Sequence, residues 1–165
     1  MLKELQPLVE QLRMTRRNLW EVVEGLSIEQ LLEKMPGSDW SIKDALAHLA
    51  ANEALMTDIL RSIANGGDAN VTEFDSDEIN AQQVVEAKDK SLAEGWRELD
   101  RNRRELFTLL EHLTPKELER YGTHQYQGMM NVKEFLVVIY SHEETHCREI
   151  TDQARRFRKA SLRHE

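Results

Sequence analysis

The chain has 165 residues, with 22 Lys plus Arg against 30 Asp plus Glu and a formal charge of -8. This length suits a single domain, 1–165, with a core large enough to need no staples, and the acidic balance argues against nucleic acid or an anionic membrane as main partner. Cys147 is the only cysteine, which excludes an intrachain disulfide and fits a reducing, cytoplasmic location.

The opening stretch MLKELQPLVEQLRMTRRNLW spreads its charges and holds no long apolar run, so it reads as neither a signal peptide nor a membrane span. Leu5, Leu12, Leu19 and Leu26 recur at seven-residue steps with Val9 and Val23 between them. That spacing predicts a first helix with one buried stripe, ending near Gly25 before a short turn at "SIEQ". In "SDWSIKD", Ser41 stands three residues before Asp44, a capping box that opens a second helix over about 42–65. "NGGDANVTEFDS" is an acidic, glycine-containing connector.

A third helix is expected over about 77–112, carrying Val85, Leu92, Leu99, Leu106 and Leu113 at seven-residue steps, with Trp96 and Leu110 between them. Its polar first half suits a crossover as well as a core. "TPKE" opens a further short turn, with Thr114 as cap, Pro115 next and Glu117 at the reciprocal position. "YGTHQYQGMMN" reads as a loop, after which Asn131 and Glu134 cap a last helix over about 132–158. The basic cluster "QARRFRK", with Arg155, Arg156, Arg158 and Lys159, suits a solvated helix end. No strand is expected. Four long amphipathic helices imply an all-α four-helix bundle.

The last helix contains His142, Glu143 and His146 in the spacing H-E-x-x-H, which in many metalloproteases binds zinc and supplies a general base. On a helix, residues i and i+4 share a face, so the two histidines can share an ion, whereas Glu143 is turned about 100° from His142. A zinc protease also needs a third ligand and a cleft, usually with a strand to hold an extended peptide. Beyond His146 the candidates are Glu149, His164 and Glu165, and without a strand a protease is not the expected reading. Phe135, Ile139, His142, His146 and Ile150 follow at steps of four, three, four and four, placing both imidazoles on the core stripe. Buried imidazoles need partners, and a hydrogen-bonded pair would satisfy them as well as a metal.

A third imidazole comes from "WSIKDALAHLAANE", where His48 faces inward about two turns past the cap, on the flank of Asn52, Leu55 and Ile59. Three protein ligands plus solvent is the pattern of a catalytic rather than a structural site. "WSIKDALAHL" followed by "HEETHCREI" resembles the DinB/YfiT-like superfamily of metal-binding four-helix bundles, over nearly the whole chain. The resemblance implies a divalent ion, zinc or nickel, held by His48, His142 and His146. It also implies an up-down-down-up bundle with a long crossover between the second and third long helices, and it makes a homodimer the expected assembly. Branches of the family use low-molecular-weight thiols in S-transfer or isomerisation, and others are described as metal-dependent hydrolases. The expected function is therefore a metal-dependent enzyme acting on a small molecule, by thiol transfer or hydrolysis. A rival reading is a non-catalytic bundle that binds or sequesters a ligand or metal. A di-iron carboxylate site would need a second Glu-x-x-His, and the chain holds none.

Three charges fall within apolar stripes: Arg16 between Leu12 and Leu19, Glu53 on the arc of Leu46, Leu49 and Leu60, and Arg103 between Leu99 and Leu106. They suit one polar layer, in which Glu53 pairs with arginine or Arg16 and Arg103 hold an anionic substrate group. Glu143, Arg103 and Arg16 are thus the candidate catalytic residues. His124, Tyr121, Tyr126, Met129 and Met130 are read as loop packing, with a lid as the other possibility. Trp40 is assigned to the helix entrance and His112 and His164 to solvent. Cys147, turned about 100° from His146, is an unsuitable ligand, with a thiolate nucleophile there as a further alternative.

Overall fold

The computed structural model describes residues 1–67, 70–71, 82, 84–124 and 128–161. Four long helices form a bundle: α1 (Gln6–Glu24), α3 (Ile42–Ala64), α4 (Leu92–His112) and α6 (Val132–Ser161). Two short helices, α2 (Ile28–Leu32) and α5 (Pro115–Leu118), sit in the connections. α1 packs on α6, and α3 packs on both α4 and α6. None of the helices described is long and apolar enough to cross a membrane.

Local hydrogen bonds set the helix starts. Capping boxes close at Ser27 with Gln30, Ser41 with Asp44, Ser91 with Glu94 and Thr114 with Glu117. Asn131 and Glu134 cap α6 reciprocally: the Glu134 N–H donates to Asn131 Oδ1 at 2.9 Å and the Asn131 N–H to Glu134 Oε2 at 2.7 Å. Each box satisfies amides that the first helical turn leaves without partners.

Two expectations are corrected. The expected helix over 77–112 is not continuous, because the box at Ser91 restarts it, with a turn at 88–90 after a helical stretch at 84–87. Val85, expected on the buried stripe, is 69 % exposed. The heptad spacing ran on past the cap, and the cap governs the backbone. Residues 77–81 and 83, like most of the proposed crossover, lie outside the described residues.

The expected absence of strands is the second correction. β2 (Tyr121–His124) and β3 (Gly128–Asn131) form an antiparallel pair, and β1 (Asn70–Val71) joins β2 in parallel. These strands are too short to show alternation, and Gly128, at φ +74°, permits the backbone turn into β3. The pair leads directly into the Asn131 cap, and the His124 ring meets Phe135 edge-on at 5.7 Å. This is packing against the bundle, and Tyr126 lies outside the described residues.

The core is divided into two apolar clusters. One joins Leu5, Val9 and Leu12 of α1 to Met56, Leu60 and Ile63 of α3, Leu106 and Leu110 of α4, and Phe135, Leu136 and Ile139 of α6. The other joins Leu19 and Val23 to Ala45, Leu46 and Leu49, Trp96 and Leu99, and Cys147 and Ile150. Along each long helix one charged residue falls between the two: Arg16, Glu53, Arg103 and Glu143. Phe135 is fully buried in the first cluster, and Phe135→Ala is expected to cost about 3–5 kcal/mol in denaturant unfolding through lost transfer energy and a residual cavity.

Candidate metal centre

The segment between α2 and α3 builds one wall of the site. The Met35 N–H donates to the Trp40 carbonyl at 2.8 Å, and the Trp40 N–H donates to Ser38 Oγ at 3.0 Å. Gly37, at φ +76°, takes a turn conformation that a side chain would strain. Ser41 and Asp44 then fix the start of α3, about two turns before His48. Trp40 therefore does more than close the helix entrance. Its ring centroid lies 4.9 Å from that of His48 and 6.2 Å from that of His146.

The structure brings His48, His142 and His146 together. Their ring centroids are 4.7–5.1 Å apart in edge-on pairs, and one candidate ligand nitrogen from each lies within 4.8 Å of the others. His48 Nε2 faces His142 Nε2 at 2.9 Å. Nitrogens bound tetrahedrally to zinc at about 2.0–2.1 Å would stand about 3.3 Å apart, so the His48–His142 pair need open by only a few tenths of an ångström to share an ion. His146 Nδ1 contacts Glu149 Oε2 at 2.9 Å. Such a carboxylate accepts a hydrogen bond from Nδ1–H, which keeps the proton on Nδ1 and leaves Nε2 for a metal. Burial, reinforced by the two neighbouring imidazoles, pushes the His142 pKa down to about 3, so its ring is neutral and can act as a ligand at neutral pH.

His48 is 2 % exposed, and His142 and His146 are half-buried. The two α6 histidines therefore flank the core stripe, while Glu143 and Cys147 are buried along it. Glu149, weighed as a ligand, instead contacts His146 from outside the imidazole group. His164 and Glu165 lie outside the described residues. His112 is exposed, with Nδ1 2.7 Å from the Thr108 carbonyl.

Glu143, Arg16 and Arg103 meet Glu53 in a closed ring of charge. Arg16 donates from Nε to Glu143 Oε1 at 2.8 Å and from Nη2 to Glu53 Oε2 at 2.9 Å. Arg103 donates from Nη2 to Glu143 Oε2 at 2.5 Å and from Nε to Glu53 Oε1. Arg16 Nη1 also reaches the Leu99 carbonyl of α4 at 3.0 Å, and Arg103 Nη1 reaches the Leu12 carbonyl of α1 at 2.7 Å. Every carboxylate oxygen thus accepts an arginine N–H, and both guanidinium groups are spent on protein. Burial opposes the charge on Arg16, but Glu143 and Glu53 outweigh it and hold its pKa above the ordinary value.

Sequence reasoning anticipated three members of this layer and missed Glu143 as the fourth. The available signal was its place between Ile139 and Cys147 at four-residue steps. Cys147 lies beside the layer, and burial, followed by the Glu143 charge, pushes its thiol up to about 12.

The sequence model of the DinB superfamily matches residues 11–150, most of the chain. The chain belongs to the DinB superfamily. The chain is similar to the uncharacterized protein YuaE of Bacillus subtilis (strain 168), 24 % identical over 157 residues, spanning 88 % of this chain and 96 % of YuaE. Among solved structures, YfiT from Bacillus subtilis, described as a probable metal-dependent hydrolase with an unusual four-helix bundle topology, superposes with a TM-score of 0.79 at 19 % identity. That match covers 95 % of this chain and 90 % of YfiT. A mycothiol-dependent maleylpyruvate isomerase superposes with a TM-score of 0.74 at 11 % identity, over 88 % of this chain and 60 % of the isomerase. At these identities the structural matches establish a shared fold.

Two outcomes follow for this DinB bundle. Glu143→Gln leaves two arginines facing one carboxylate and should cost about 3–5 kcal/mol in urea unfolding. Because Cys147 holds its proton well above pH 8, iodoacetamide should alkylate it at pH 8 at least about tenfold more slowly in the folded protein than in urea.

Proposed function

We propose that the protein is a divalent-metal-dependent enzyme acting on a small molecule, with the ion held by His48, His142 and His146. The observation that carries this reading is the convergence of three imidazole nitrogens, from two helices, within 4.8 Å of one another. Three ligands leave a position open, and the bound ion, zinc or nickel, would lower the pKa of a thiol or water there. Within the chain, Glu149 orients His146, Trp40 covers the imidazoles on one side, and the charged layer holds α3 and α6 in place. Glu143, Arg16 and Arg103 act as positioning residues in this reading, since each is spent on the others.

For the reacting partner we favour a low-molecular-weight thiol over water. Support comes from the mycothiol-dependent neighbour, while the description of YfiT supports hydrolysis. We assign the protein to the cytoplasm because its single cysteine fits a reducing compartment. A homodimer is supported by the exposed Met14 and Val137 on the adjoining helices α1 and α6. The sharing of each apolar cluster between opposite halves of the α1–α6 and α3–α4 pairs supports an up-down-down-up path.

Cobalt(II) titration is expected to saturate at one ion per chain with visible absorption of a four- or five-coordinate site. His48→Ala should lower the affinity by at least about tenfold, and a saturating ion at 100 times Kd should stabilise the fold by about 2.7 kcal/mol. A wild-type protein that binds no cobalt or zinc would overturn the metal reading. Turnover of thiol and electrophile pairs by the loaded wild type, lost in His48→Ala, would separate an enzyme from a sequestration protein.

A further inference from the structure

Beside the imidazoles, the turn carrying Trp40 and the second half of α6 enclose a cavity of about 250 Å³. Glu149, Asp152, Gln153 and Arg156 of α6 line it, opposite the Met35–Ser38 turn. His146, Glu149, Gln153 and Arg156 follow at steps of three, four and three, so one helix face runs from the candidate metal centre into the cavity. The link is also chemical, because the carboxylate holding His146 Nδ1 is part of the cavity wall.

Gln153 is the anomaly. It is only 4 % exposed, and its amide oxygen is buried without a hydrogen-bond partner. Among the described residues it is the one buried side-chain oxygen or nitrogen left in this state. A buried acceptor without a donor is unfavourable, and such groups persist where a ligand or water completes them. Gln153 lines the cavity, so a rotation of its amide would present the oxygen to a donor placed there.

The other charges indicate what that donor belongs to. Glu149 and Asp152 add two carboxylates to the lining of the same cavity, and the Asp152 contact with Arg155 is an exposed i,i+3 pair of little strength. Arg156 makes no ion pair among the described residues. One end of the cavity wall thus suits a protonated amine, and the guanidinium suits a carboxylate.

We infer that this cavity is a substrate-positioning subsite for an amino-acid-like zwitterion. Its ammonium group is received by Gln153 Oε1 with Glu149 and Asp152, and its carboxylate by Arg156. The assignment deepens the small-molecule reading above and rests on it for the direction of the ligand, whose third arm would point toward the imidazoles. A thiol bearing an amine and a carboxylate has that form.

The test compares L-cysteine with 3-mercaptopropionate, which lacks the amine, and cysteamine, which lacks the carboxylate. Binding is followed by amide chemical shifts in both metal-free and cobalt-loaded protein. L-cysteine should bind about tenfold more tightly than either truncated thiol. Gln153→Leu should weaken L-cysteine and cysteamine and spare 3-mercaptopropionate, whereas Arg156→Gln should weaken L-cysteine and 3-mercaptopropionate and spare cysteamine. Without ligand, Gln153→Leu should melt above the wild type because the lone acceptor is gone. Equal binding of the three thiols, or a Gln153→Leu variant that melts lower and binds all three unchanged, would overturn the subsite. The metal-free arm reads the cavity alone. Discrimination there without cobalt uptake would sink the metal reading and keep the subsite, and cobalt uptake without discrimination would do the reverse.

Discussion

The interaction on which the rest of the bundle depends is the ring formed by Arg16, Glu53, Arg103 and Glu143. Each long helix contributes one charge, and the ring lies between the two apolar clusters. Moving four charges out of water is costly, and their attraction offsets that cost only when the geometry is good and the remaining donors are satisfied. Here each arginine also reaches the backbone of the other's helix: Arg16 meets the Leu99 carbonyl and Arg103 the Leu12 carbonyl. Those carbonyls stand four residues before Arg103 and Arg16 respectively. The reciprocity ties α1 to α4 at one axial level, so a slip of one turn would strand buried charges. Apolar clusters alone tolerate such slips far better, because dispersion has no direction.

Register fixed at the ring sets the position of the imidazoles. Glu143 is held from both sides by arginine, which sets the rotation of α6 and turns His142 and His146 to the flank of the core. Glu53, held the same way, sets α3, and His48 lies five residues earlier on it. The three rings then meet at the margin between core and solvent, with Trp40 against His48 and His146. At that margin burial keeps His142 neutral. Farther along the same face of α6, the amide oxygen of the buried Gln153 has no hydrogen-bond partner among the described residues.

The pentapeptide H-E-x-x-H has a different meaning here from the one it has in a protease. Its two histidines do share a face and join a third imidazole, as helix geometry allows whatever the fold. Its glutamate points elsewhere, into a salt-bridged interior, because the helix is covered on that side by α1, α3 and α4. The same letters therefore divide between two tasks, and the neighbours decide the division.

The sequence by itself determined what depends on neighbours along the chain. Ser41 with Asp44 and Thr114 with Glu117 announced helix starts, Gly25 marked a stop, and the leucine repeats implied a helical bundle. These are contacts within a turn or two of helix, so spacing alone encodes them. It also singled out His48, His142 and His146, and three of the four buried charges. Only the tertiary structure decided that Glu143 closes the charged ring, that Trp40 packs against His48 and His146, and that "YGTHQYQGMMN" contains paired strands. Each of those outcomes depends on which side chain or backbone group lies across a helix interface or strand pair. One-dimensional spacing carries no record of that, since partners dozens of residues apart are chosen by packing in three dimensions.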